Sequence, residues 1–454
     1  MGSAVVKVAQ SIGLEEKEEE KQAVLPGEVE KSIVLGRSTL IRNQKKSAFN
    51  MYRLSKDSDR VRNQLVDEGA VVPLINMYRS KSQEVSLYAL KVLGELAKTK
   101  HNRVKMLEDG AATPMLDGLK HKKNYFIREA AVLAIANFAE FEDARMRLVI
   151  DGCTPGILEQ LRQDGREDSL ESELITLRAL YTLSMHPKNQ SRMVRDGVLV
   201  PLFDVVHNPL KSVKHKSFAM MCFAQLCEAE GNHKKISELA GGAGVRKVIE
   251  LCSFYEDTVK VYAATAIAHL AANPILVTKL TEEGVLEPLK DMLKSPKQVP
   301  VLRAVLAIKA LAADTANQQL IVKQGMLPHL LKKSHCGYPE IEEAVTETIQ
   351  LLAQCRINRP QIIYHGGFKP LMYTAQYSKQ PEQRKEANGV LTNLFNLPGA
   401  RRDELVQKAA DKFKKVLTKR GGARKHASQE RSSVNAAALI FGQGGNDDES
   451  SDED

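Results

Sequence analysis

Tryptophan is absent from the 454 residues, and aromatic residues make up only 5% of them. That is low for a β-sandwich core or an aromatic-lined sugar cleft, and it suits a helical array built from Leu, Ala and Val. No apolar run reaches the roughly 18 residues that would suggest a membrane span. The opening "MGSAVVKVAQ" has neither an apolar h-region nor a cleavage signal, so no secretory leader is expected. Gly2 meets an acylation signal only in part, because Val6 stands where Ser or Thr is wanted. The six cysteines (Cys153, Cys222, Cys227, Cys252, Cys336, Cys355) are scattered and have no secretory context, so reduced, core-packed thiols are expected. Cys222, Cys227, His215 and His233 lie near one another in sequence, yet their spacing fits no usual zinc pattern, so core roles are favoured.

Signals for catalysis are equally sparse. "GGAGVR" at 241–246 follows no strand, which leaves it weak as a phosphate loop. His186, His207, His215 and His233 have no Ser or Cys nucleophile at a recognisable elbow, and no HExxH occurs. The expectation is a protein that is not an enzyme and carries no cofactor or metal.

Hydrophobic residues are plentiful, at 43%, and support a substantial core. The net charge of +9 conceals an asymmetry. The last eight residues, "DDESSDED", carry −6, while 401–431 has eleven Lys/Arg against four Asp/Glu.

A repeat organises most of the chain. "DEGAVVPL", "EDGAATPM", "IDGCTPGI", "RDGVLVPL", "LAGGAGVRKVI", "EEGVLEPL", "KQGMLPHL" and "YHGGFKPL" place glycines at Gly69, Gly110, Gly152, Gly197, Gly242, Gly284, Gly325 and Gly366. The intervals are 41, 42, 45, 45, 42, 41 and 41 residues, within the range of helical solenoids. A second marker keeps the register. Fifteen residues separate Glu95 from Gly110, Asn137 from Gly152, Thr182 from Gly197, His269 from Gly284, Ala310 from Gly325 and Leu351 from Gly366. Gln225 precedes Gly242 by 17, so that unit holds a small insertion. Each of these positions is followed by Leu or Phe and then by a small residue.

The physical reading is three helices per unit, two short and one long. Acid-Gly followed by Pro breaks the chain between helices, with Gly free to turn left-handed and Pro suited to a first helical turn. In 127–138, Ile127, Ala130, Ala131, Ala134, Ile135 and Phe138 recur at helical spacing and form one apolar stripe. A lone unit cannot bury such a stripe, so stability must come from stacked neighbours.

The Gly–Pro–Leu punctuation, the 42-residue period and the "x-Leu-Ala" end of the long helix resemble armadillo repeats. The resemblance implies an all-α fold, a right-handed α-solenoid of about eight to nine three-helix repeats. It covers 38–398, with 1–37 as a flexible lead-in, 38–68 as a partial first repeat and 399–418 as a capping helix. A disordered basic-then-acidic tail follows at 419–454.

The same resemblance implies that the long third helices line a concave groove that binds extended or helical partner segments, with an Asn near the helix end holding the partner backbone. Rows at i, i+4 and i+8 are Leu87-Lys91-Glu95, Glu129-Leu133-Asn137, Leu174-Arg178-Thr182, Ser217-Met221-Gln225 and Val261-Thr265-His269. They continue with Leu302-Leu306-Ala310, Glu343-Glu347-Leu351 and Lys385-Gly389-Asn393. The expected partner contacts are Lys91, Glu95, Glu129, Asn137, Arg178, Gln225, His269 and Asn393. Only Asn137 and Asn393 keep the family's Asn, and without Trp the slots that sandwich lysine stems in import adaptors are missing. The apolar row at Leu302, Leu306 and Ala310 is either a docking spot for an apolar side chain or a one-residue error of frame.

The function expected is a non-enzymatic scaffold or adaptor for protein partners, cytoplasmic or nuclear, with no membrane span. The alternative is a transport-like or nucleic-acid-associated binder using the basic surface and segment 412–425. Scarce aromatics there argue against base stacking. The acidic end either solvates the chain or folds back on a basic surface, and Ser450 and Ser451 suit an acid-directed kinase.

Overall fold

The structure is a computed structural model, and it describes residues 24–162, 169–334, 336–377 and 381–395. The described residues form helices and no strands. The fold is an all-α solenoid of stacked three-helix repeats, divided into a unit ending at Leu226 and a unit starting at Cys227.

In the first unit the long third helices are Ile41–Ser55, Gln83–Leu96, Tyr125–Phe138, Ser169–Ser184 and Val213–Leu226, and each packs on the next. The second unit holds Asp257–Leu270, Gln298–Ala312, Pro339–Gln354 and Pro381–Phe395, again packed in succession. The stripe from Ile127 to Phe138 is buried throughout. Close approach explains its alanines. A Cβ on Gly94 would lie 3.2 Å from Ala134 Cα, so the two backbones meet across small residues.

The punctuating glycines do what their spacing requires. All eight have φ between 76° and 95°, where an L side chain is strained. The next residue's N–H reaches back to a carbonyl five residues earlier, as from Ala111 to Met106 (2.9 Å) and from Val285 to Leu280 (3.1 Å). This Schellman closure satisfies carbonyls that the helix end leaves open.

Two features depart from the expected frame. The lead-in assigned to 1–37 holds a helix at Glu28–Gly36, and Val29 and Ile33 are each 2% exposed. It packs on Ile41–Ser55, because that third helix would otherwise leave Ala48, Met51 and Leu54 without cover. The insertion before Gly242 forms a short 3-10 turn in which Ala240, Gly241 and Gly242 all have positive φ. "GGAGVR" is therefore a distorted repeat boundary. The capping helix at 399–418 and the tail at 419–454 lie outside the described residues.

A further device recurs that the sequence reading passed over. Six residues after the Leu near the end of a third helix, a buried Asn donates its amide to that Leu's carbonyl. The pairs are Asn102 to Leu96 (3.1 Å), Asn189 to Leu183 (2.9 Å), Asn317 to Leu311 (3.4 Å) and Asn358 to Leu352 (3.1 Å). Asn189 also reaches Arg145's carbonyl, and Asn358 reaches Gln318's, both at 2.9 Å in the preceding repeat. The following residue often serves the next carbonyl, as Arg103 Nε does for Ala97 (2.8 Å) and Arg359 Nε for Ala353 (3.0 Å). The cysteines sit in this packing. Burial pushes the Cys153 and Cys222 thiols up to about 12, which makes them poor nucleophiles at neutral pH.

Candidate partner-binding face

The third-helix rows fall where the repeat register puts them, between buried neighbours. On Gln83–Leu96, Ala89, Leu90, Val92 and Leu93 are buried while Leu87 and Lys91 are half-exposed. On Gln298–Ala312, Val301, Ala304, Val305 and Ile308 are buried while Leu302, Leu306 and Ala310 are half-exposed. The apolar row is thus a real surface feature, and its frame holds.

The expected contact residues separate into two kinds. Lys91, Glu129, Arg178, Gln225 and His269 are half-exposed. Glu95 and Asn137 are nearly enclosed, at 6% and 4% exposed. The Glu95 carboxylate pairs with Lys98 at 2.9 Å. Asn137 Nδ2 donates to the Gly94 carbonyl at 3.0 Å, and its Oδ1 accepts from Arg178 Nη2 at 2.8 Å. One amide therefore links three successive third helices. Gly94 favours this, because the missing Cβ lets the neighbouring helix come close at Ala134. Asn393 lies on Pro381–Phe395, but its side chain falls outside the described residues.

Arg178 is held as much as it holds. Its Nε is buried with no hydrogen-bond partner among the described residues. Burial lowers its proton affinity from the ordinary value, and nearby Glu140 opposes that shift. His269 is likewise pushed below the usual imidazole value, first by burial, then with Glu228 opposing and His233 and Arg303 adding to the depression. It stands as a neutral ring at neutral pH, able to donate from one nitrogen and accept at the other.

An aromatic cluster sits at the start of the same face. Phe49 meets Tyr88 edge-on with centroids 5.7 Å apart, and Tyr52 lies 5.5 Å from Tyr88. Lys91 Nζ stands over both tyrosines, 5.5 and 5.7 Å from their centroids. Phe49 is 54% exposed. Sequence reasoning singled out Lys91 alone. The missed signal was Phe49 and Tyr52 at i and i+3 on one third helix, with Tyr88 on the next.

The four residues with a suspected metal role have other uses. His215 Nε2 bonds the Leu170 carbonyl at 2.8 Å and its Nδ1 bonds Ser212 at 2.7 Å. His233 Nε2 bonds the Cys227 carbonyl at 2.8 Å, and Cys222 and Cys227 are buried. Among the described residues no group of three or more His, Cys, Asp or Glu side chains is placed to hold a metal. No described helix is long and apolar enough to cross a membrane.

No family model matches the chain. It is 30% identical over 140 residues to "Vacuolar protein 8" of Candida albicans, covering 31% of this chain and 24% of that one. It is 22% identical over 360 and 384 residues to "Rap1 GTPase-GDP dissociation stimulator" 1-A and 1-B of Xenopus laevis, covering 75% and 80% of this chain and 58% and 62% of theirs. The chain thus spans less than two thirds of each of these relatives. Among solved structures, the crystal structure of an engineered protein superposes with a TM-score of 0.75 at 21% identity, over 92% of this chain and all of the other. That likeness concerns the fold alone.

Proposed function

We propose that the chain is a non-enzymatic scaffold that binds protein partners along its third-helix face. The observation that carries this reading is the row of half-exposed, chemically varied side chains repeated on successive third helices. Lys91, Glu129, Leu133, Arg178 and Gln225 supply cation, anion, apolar and amide groups on one face of the first unit. An extended segment laid across stacked helices meets one such group per repeat, which is how a regular array reads an irregular sequence. Within that face, Asn137 acts by fixing Arg178, and Arg178 makes the direct contact. Phe49, Tyr52 and Tyr88 add the aromatic anchor that interfaces favour.

The test is to capture partners with the whole chain and repeat the measurement with Lys91→Ala, Arg178→Ala and Gln225→Ala together. The triple variant should keep its helical circular dichroism and lose at least about tenfold in affinity. Undiminished binding by a folded triple variant would move the site off this face. A second reading follows from the two Xenopus relatives, which are named for stimulating GDP dissociation from Rap1 GTPase and resemble most of this chain. It makes a GDP-loaded small GTPase the partner. Absence of binding to such a GTPase removes that reading and leaves the first intact.

A further inference from the structure

In the unit that starts at Cys227, residues 286–333 carry eight Lys/Arg against three Asp/Glu. The structure gathers five of those lysines at one edge. Helices Leu286–Leu293 and Leu327–Leu331 pack side by side, bringing Lys290 and Lys294 near His329 and Lys332. Lys333 Nζ reaches the Ser295 carbonyl at 3.4 Å, tying the second helix's end to the loop that carries Lys297. The positive field is felt locally. His329 is held below the usual imidazole value, first by burial and then by Lys294, Lys332 and Lys290, with only Asp291 opposing. Beside this edge opens a cavity of about 540 Å³, lined in part by Tyr255, Asp257, Lys260, Lys294, Ser295 and Lys297.

The lysines are only loosely committed. Lys294 pairs with Asp291 at 2.6 Å, Lys290 with Glu287 at 2.5 Å and Lys297 with Asp257 at 2.5 Å. The Lys294 and Lys297 side chains remain 52% and 71% exposed, while Lys290 is only 19% exposed and more firmly held. Such solvent-exposed pairs contribute about 0–1 kcal/mol, so exchanging one carboxylate for another costs little. Lys332 has no carboxylate within ion-pair distance among the described residues.

We propose that this lysine edge is the docking surface for the chain's own acidic segment, Asp447–Asp454. The charges are opposite in sign and close in number, six carboxylates in that segment against the five lysines Lys290, Lys294, Lys297, Lys332 and Lys333. Covalent attachment makes the contact intramolecular, so weak individual contacts suffice for occupancy. Ser450 and Ser451 sit among the carboxylates, and phosphate on either would add about −1.5 to −2 of charge and strengthen the contact. The assignment stands apart from the third-helix reading, since it requires no outside partner.

The experiment compares the whole chain with one ending at Asn446, using a fluorescent peptide of sequence GNDDESSDED and anisotropy at low salt. The shortened chain should bind the peptide, and the whole chain at least about tenfold more weakly because its own segment occupies the edge. Added salt should weaken binding steeply. In the shortened chain, Lys290→Glu, Lys294→Glu and Lys332→Glu together should abolish binding without shifting thermal unfolding, while Lys122→Glu with Lys123→Glu in the other unit should leave it unchanged. A peptide with Asn and Gln in place of its acids should not bind. Equal binding to both chain lengths, retention by the lysine triple variant, or equal affinity for the neutral peptide would each overturn the proposal. So would a shortened chain that binds duplex DNA but not the peptide, which would make nucleic acid the occupant.

Discussion

In the unit ending at Leu226 the middle of the third-helix face is polar and bonded from helix to helix, through Gly94, Asn137 and Arg178. In the unit from Cys227 onward the corresponding rows present Thr265, Leu306 and Glu347, and the helices are joined at the surface by Lys309 and Glu347 (2.6 Å). The cores are built alike, with the same Schellman glycines and the same buried asparagines at helix ends. The difference shows that an array can hold its packing constant while each unit spends its face on different chemistry. Buried polar links also impose a register that apolar contacts leave loose, because an unpaired amide is costly inside a protein.

The sharpest break between the units should come from a single methyl group. A Cβ on Gly244 would lie 2.3 Å from the Ile236 carbonyl oxygen and 3.0 Å from Leu239 Cβ, so backbone must move. Gly244→Ala should cost about 3 kcal/mol or more by urea unfolding. Gly118→Ala in the first unit meets Ala131 Cβ at 2.8 Å and Leu90 Cδ1 at 3.0 Å; the leucine end can turn away, but Ala131 moves only with its helix. Its cost should be smaller, about 1–2 kcal/mol. Equal losses would mean that the distorted boundary at 239–242 relaxes as easily as a regular one.

Next come the buried asparagines, which should behave alike in both units. Asn189→Ala and Asn358→Ala each strand two carbonyls, at least one of them buried, and each should cost about 2–3 kcal/mol. Asn102→Ala removes a single bond and should cost about half as much. Equal costs for all three would show that the bonds to the preceding repeat contribute nothing.

The array itself was legible because Gly, Pro and the Leu-small pair recur at fixed spacing, and each has a backbone reason to be there. The asparagine device was legible too, since Asn102, Asn189, Asn232, Asn317 and Asn358 each stand six residues after the Leu near the helix end. It went unread because no pattern of apolar residues announces it. Asn137 shows the limit of that kind of reading. The spacing puts it in the third-helix row, but burial and the bonds to Gly94 and Arg178 depend on how closely neighbouring helices approach, which is a property of Gly94 and Ala134 rather than of Asn137. The helix at Glu28–Gly36 was missed because it lies upstream of the first punctuating glycine.

The Asn137–Arg178 link should be measurable as a coupling. Asn137→Ala leaves the Arg178 guanidinium short of its acceptor, and Arg178→Met leaves Asn137 Oδ1 short of its donor while keeping most of the apolar stem. Each should cost about 1–2 kcal/mol, and the double variant should cost less than the sum by about 1 kcal/mol. Additive losses would mean that the 2.8 Å contact carries no net stability, and would free Arg178 to be read as a partner contact alone.

The smallest expected effect lies in the second unit and depends on pH. His269 has a folded-state pKa below its unfolded value, chiefly because burial penalises the charged ring. The unfolded chain therefore takes up a proton at this site before the folded chain does. Stability contributed by the neutral ring is present in full above the unfolded value of about 6.5 and declines as pH falls through the folded value. The urea midpoint of the whole chain should accordingly fall as pH drops from about 7 to about 5, and His269→Gln should flatten part of that slope. His329 is also depressed and is the proper control, because it lies on the lysine edge rather than the third-helix face. If His329→Gln flattens the slope and His269→Gln does not, the proton is being refused at the basic edge, and the second unit's third-helix face has no titrating group near neutrality at His269.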